Sequence, residues 1–135
     1  MATKKKPKRK QSTPKAFEIP EEMKRWAALL SDEVAGWPQV TRKKMFGMSS
    51  FYRRDAIFAA LPLTNAFFTP TSIIFKLQKP TVRQHKGMAS DCRINISFGI
   101  GQKWYGYELQ SDEDIHGALE WLAEAYESVG KKRTT

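Results

Sequence analysis

Apolar positions recur at three- and four-residue steps near both ends of this chain and at two-residue steps between them. Met23, Trp26, Ala27, Leu30 and Val34 form the stripe of a first helix. Pro20 with Glu21 and Glu22 marks its start, because proline suits a first turn and acids there meet the positive end of the helix dipole. Gly36 and Pro38 end it. The second stripe, Ile115, Ala118, Leu119, Leu122, Ala125, Tyr126 and Val129, covers about 100° of a helix and suits packing on a sheet, with Leu119 and Leu122 expected against it. Ser111 and Asp114 form a capping-box pattern ahead of it, and Gly130 is expected to stop it.

A short helical turn is expected from Val40 to Lys44. From Met45 the period becomes that of strands, at about 47–53, 56–61, 65–69, 72–77, 93–98 and 103–109. Arg54-Asp55 and Gly99-Ile100-Gly101-Gln102 are short enough for antiparallel hairpins. Residues 78–92, with Pro80, Gly87 and mixed charge, read as one long mobile connection. The expected fold is α+β: an N-terminal helix, an antiparallel meander of about five strands, and a C-terminal helix packed on one sheet face. At 135 residues the chain holds enough for one core, so a single domain is expected over 17–130. Basic tails at 1–16 and 131–135 flank it.

Charge is what complicates this picture. The net charge is +9, but residues 1–16 hold seven basic groups (Lys4, Lys5, Lys6, Lys8, Arg9, Lys10 and Lys15) and no acid. With Lys131, Lys132 and Arg133 also set aside, 13 basic groups face 14 acids. That remainder is uneven: residues 42–103 sum to +9, residues 17–41 to −3 and residues 104–130 to −7. A basic sheet region and an acidic last helix are expected. Almost nothing apolar accompanies the tail charges, so residues 1–16 are expected to be disordered alone. They offer salt-dependent contact with phosphates, and they look like a nuclear-import signal; a solvated tail with no dedicated partner has the same composition.

The longest apolar run, Ala56 to Leu63, is eight residues, far short of a membrane span. Cys92 is the only cysteine, which excludes an internal disulfide and suits a reducing, cytoplasmic setting. In the sheet region Phe51, Tyr52, Arg53 and Arg54, and again Lys103, Trp104, Tyr105 and Tyr107, interleave rings with cations as base-stacking surfaces do. Alternation must still send half of them into a core. Arg53, Arg54, Lys76 and Lys79 are secondary phosphate contacts if they reach solvent. Cys92 with Asp91 and His85 has the residue types of a nucleophile and base but no third orienting group, and His85, His116 and Cys92 lack a metal-binding spacing. Gly99-Ile100-Gly101 lacks the third glycine and following helix of a phosphate loop. No catalytic residue, metal or cofactor is expected.

Met45-Phe46-Gly47, Phe51-Tyr52, Ile57-Phe58-Ala59, and a Trp/Tyr-bearing last strand leading to Trp121 and Ala125-Tyr126 together resemble the N-terminal domain of the TfoX/Sxy competence regulators. The YjbR/MmcQ and YdhG-like domains look like structural relatives. Met48 stands where that family often has a second glycine, and Ala66-Phe67-Phe68 looks inserted. The resemblance implies a helix, an antiparallel sheet of about five strands, a closing helix, and no catalytic residues. It points to a bacterial, non-enzymatic, transcription- or competence-associated regulator whose basic tail contacts nucleic acid without sequence preference. The alternative is a protein-interaction module with solubilising tails.

Overall fold

The structure, a computed structural model, describes residues 17–45, 47–66, 69–95 and 103–131. The N-terminal tail, residues 67–68, the expected hairpin at Gly99 to Gln102 and the second half of the expected strand 93–98 lie outside the described residues, as does the C-terminal tail beyond Lys131. The described chain runs β1 (Phe17–Glu18), α1 (Glu21–Ala35), β2 (Val40–Met45), β3 (Met48–Arg53), β4 (Ala56–Pro62), β5 (Asn65–Ala66), β6 (Ser72–Lys76), α2 (Val82–Ser90), β7 (Ile94–Asn95), β8 (Trp104–Glu108) and α3 (Asp114–Lys131). Among these residues no helix is long and apolar enough to cross a membrane.

Six strands form one antiparallel sheet in the order β2-β3-β4-β6-β8-β7. The meander holds from β2 through β6; β8 then returns beside β6, and β7 takes the outer edge. β5 leaves the sheet to pair with β1. That small ladder is pinned to the β2–β3 turn, where the Gly47 carbonyl accepts the backbone N–H groups of Leu63, Thr64 and Asn65. Gly47 has φ +77, and a side chain there would run into Asn65. Glycine is what this turn requires.

Val40 to Met45 is a strand rather than a helical turn. It folds back on β3, pairing Val40 with Arg53 through to Met45 with Met48, so the backbone finds partners in a ladder. Residues 78–92 likewise contain a helix where a loop was expected. Thr81 and Gln84 form a full capping box at the start of α2: Thr81 accepts from the Gln84 N–H, and the Gln84 side chain accepts from the Thr81 N–H. Gly87 lets α2 lie close on Trp121 of α3.

All three helices contribute to one core on one face of the sheet. Met23, Trp26, Leu30 and Val34 of α1, Met88 of α2, and Ala118, Leu122, Ala125, Tyr126 and Val129 of α3 meet Phe51, Phe58, Leu61, Ile73, Phe75, Tyr105 and Tyr107 there. Leu122 is fully buried and Leu119 partly so. Of the expected capping box only the Asp114 half forms: its carboxylate accepts from the Gln110 N–H at 2.7 Å and the Ser111 N–H at 3.2 Å, while the Asp114 N–H donates to the Ser111 backbone carbonyl. Gly130 does not stop the helix; it lies in the last turn.

Candidate nucleic-acid interface

The other face of the sheet has a cluster of its own. Met48, Ala60 and Ile74 are buried there with Trp104 against them, and no helical residue belongs to the group. Strand register names the rest. Tyr52 pairs with Ile57 and with Thr41; Lys43 pairs with Ser50, which pairs with Ala60; Lys76 pairs with Trp104. A bulge between Phe51 and Tyr52 turns both Phe58 and Ala59 toward the helices and leaves Ile57 and Ala60 on this face. To within one residue, Tyr52, Ile57, Lys76 and Trp104 make a single row across β3, β4, β6 and β8. The two partly exposed rings therefore stand three strand spacings apart, about 14 Å.

Each ring carries a cation. The Lys43 ammonium lies 5.1 Å from the Tyr52 ring centroid, and that of Lys76 lies 6.0 Å from the Trp104 ring. An aromatic flanked by an ammonium is a stacking surface with a phosphate contact beside it. At the far end of this face the Glu108 carboxylate is already engaged, accepting from the hydroxyls of Thr69 and Thr71 and from the Gln110 side-chain amide.

The alternation that exposes Tyr52 and Trp104 buries their neighbours. Phe51, Tyr105 and Tyr107 belong to the helix-side core. Burial pushes the Tyr107 hydroxyl up to about 12 and raises that of Tyr105. Arg53 also turns to the helix side: its guanidinium donates to the Tyr126 carbonyl at 3.0 Å and stacks 4.1 Å from the Tyr126 ring, so it is a structural tie. Arg54 and Lys79 are exposed, and Lys76 is half-buried beside Trp104. Lys4, Lys5, Lys6, Lys8, Arg9, Lys10 and Lys15 lie outside the described residues.

Cys92 and His85 are both exposed and share no hydrogen bond, while Asp91 is taken up by Arg93, whose N–H it accepts at 3.0 Å. His116 is exposed, its Nε2 3.2 Å from Glu120. Among the described residues no three His, Cys, Asp or Glu side chains are grouped to hold a metal ion. A cleft of about 290 Å³ lies between α2 and α3, and it depends on the helix that stands where a loop is expected. Its central carboxylate, Glu124, is already held by the Gln84 amide at 2.6 Å and by Arg83 at 3.3 Å.

Acidic groups collect at the helices instead. Burial opposes the Asp114 charge, but the Gln110 and Ser111 amides and the Arg93 guanidinium outweigh it and hold the carboxyl below its ordinary range. The Trp26 indole N–H, 2.6 Å away, and then Arg25 lower Asp112 in the same way. The sheet's far face thus carries cations beside rings, and the helix layer carries structural carboxylates.

Comparison with protein-family models, curated proteins and solved structures found no match for this chain.

Proposed function

We propose that this chain is a non-enzymatic binding domain that engages single-stranded nucleic acid, as a cytoplasmic, bacterial regulator of the TfoX N-terminal type would. The observation that carries the reading is the pairing of Tyr52 with Lys43 and of Trp104 with Lys76 on the sheet face that no described helix covers. Stacking on such rings is worth about 1–3 kcal/mol per base and is tolerant of sequence. The seven basic groups of residues 1–16 add attraction to phosphates, and the acidic α3 lies on the opposite side of the sheet, where it does not oppose that contact. The resemblance to TfoX domains adds the regulatory sense, and the helix, antiparallel sheet and closing helix suit it. A protein-interaction module is the second reading, favoured by the exposed edge strand β2.

Fluorescence anisotropy with labelled single- and double-stranded oligonucleotides tests the proposal across a salt series on the full chain. Replacing both Tyr52 and Trp104 by Ala should weaken single-strand binding at least tenfold. Replacing the seven tail cations by Gln should flatten the salt slope, by at most about 5 in log–log units at roughly 0.7 per contact. Binding that ignores both changes, or no binding by any form, would sink the reading.

A further inference from the structure

β2 is an edge strand with β3 as its one neighbour, and two tight hairpins set which way its backbone points. Met45 pairs with Met48 across two intervening positions, and Arg53 with Ala56 across another two. The closing pair of a two-residue hairpin exchanges both of its backbone hydrogen bonds, and bonded pairs then alternate along the ladder. Thr41, Lys43 and Met45 therefore bond to β3, while the N–H and C=O of Arg42 and Lys44 point away from the sheet. The 3.0 Å bond from the Arg54 N–H to the Gln39 carbonyl is in phase with this count. Among the described residues no strand lies on that side.

The side chains along the same edge are cationic on both faces. Every residue from Thr41 to Met45 is exposed. Arg42 lies over the Phe51 ring at 5.9 Å on the helix side, with Lys44 on that side too, and Lys43 lies over Tyr52 on the other. None of the three makes an ion pair with a described residue.

We propose that β2 is a docking edge for an extended acidic peptide of another protein, which adds to the sheet as a further strand. A second copy of this chain does not fit: antiparallel pairing centred on Lys43 sets Lys43 against itself and Arg42 against Lys44, and like charges directly opposite one another destabilise a sheet. Lysines on an edge also deter neutral, apolar strands. A strand with acids at alternating positions presents them all on one face, where they reverse that penalty at Arg42 and Lys44. A phosphate backbone could meet the cations, but it has no N–H groups to donate to the Arg42 and Lys44 carbonyls. Those two carbonyls select a peptide. The inference rests on the backbone edge and on Arg42 and Lys44; only Lys43 is shared with the nucleic-acid face, and the inference stands or falls without that reading.

Amide hydrogen exchange on the full chain, followed by NMR, tests this with a synthetic peptide alternating Glu with Val. In the free protein the Lys43 and Met45 amides should exchange slowly and those of Arg42 and Lys44 fast. Saturating peptide should slow the latter two at least tenfold, and Arg42→Gln with Lys44→Gln, which leaves the backbone intact, should weaken peptide binding about tenfold or more. The same peptide N-methylated at alternate residues should lose the protection. The proposal is overturned by the opposite phase in the free protein, by no slowing at millimolar peptide, by equal slowing with the methylated form, or by equal slowing with single-stranded oligothymidylate.

Discussion

Helix α3 crosses β8 so closely that Gly117 rests on the hydroxyl end of Tyr107. A Cβ at Gly117 would fall inside contact distance of the Tyr107 oxygen and would lie 3.3 Å from Cζ. Tyr107 is 3% exposed, so its ring has no free space to swing into. Two effects then oppose each other in Gly117→Ala. Alanine gains about 1 kcal/mol over glycine inside a helix. Overpacking a filled core costs about 1–3 kcal/mol, and a buried, immovable oxygen places this site at the upper end. The net expectation is a loss of about 1–2 kcal/mol. Tyr107→Phe removes only the offending atom, and the remaining 3.3 Å contact is relieved by a shift of a few tenths of an ångström. In that background Gly117→Ala should be neutral or stabilising by up to about 1 kcal/mol. Urea denaturation of the four proteins, followed by circular dichroism, gives the coupling directly. Additivity within about 0.5 kcal/mol, or a stabilised Gly117→Ala single variant, would refute the close approach of α3 to β8.

Leu122→Ala should cost about 2–5 kcal/mol, because Leu122 is fully buried between α3 and the sheet; an unchanged denaturation midpoint would contradict that packing. Asp114→Asn should destabilise by about 1–3 kcal/mol at neutral pH through the lost charge at the Gln110 and Ser111 amides. The folded-state pKa of Asp114 lies below its unfolded value of about 3.9, so its contribution is complete above that value and disappears as pH falls through the folded pKa. An acid titration of stability should accordingly be flatter in Asp114→Asn than in the parent, and parallel curves would count against the assignment. Cys92 is exposed, so it should react with a thiol reagent without unfolding, and Cys92→Ser should leave oligonucleotide binding unchanged.

Both long helices were legible because their buried residues, Met23 to Val34 and Ile115 to Val129, keep the helical period almost without interruption. β2 was misread because an exposed edge strand has no apolar alternation: Arg42, Lys43 and Lys44 look alike on either face. The usable signal lay in the Phe46-Gly47 pair, a glycine-bearing break between two runs of equal length. α2 was missed for a related reason, since only Gln84 and Met88 of its nine residues are buried, although the Thr81 and Gln84 capping pair stood in the sequence. At the candidate interface the aromatic and basic residue types were visible from the start. Which of them face out was not, because the bulge at Phe51 and Tyr52 and the turn of Arg53 onto Tyr126 are set by packing between distant segments.

Polar ties between early and late parts of the chain join residues far apart: Trp26 and Arg25 to Asp112, Pro38 to Tyr126 and Arg53 to Tyr126, separated by 86, 87, 88 and 73 positions. Each spans most of the domain, so the loop between its partners must close before any of its contacts is gained. Such non-local contacts favour slow folding for a domain of this size. On the ribosome the consequence is sharper. Until the last residues emerge, the sheet has α1 over it but no α3, and Phe58, Phe75 and Tyr105 wait without their closing layer. A nascent chain released before Ser111 should aggregate or bind a holdase chaperone, whereas one released after Lys131 should not, and sedimentation of the two products would show it.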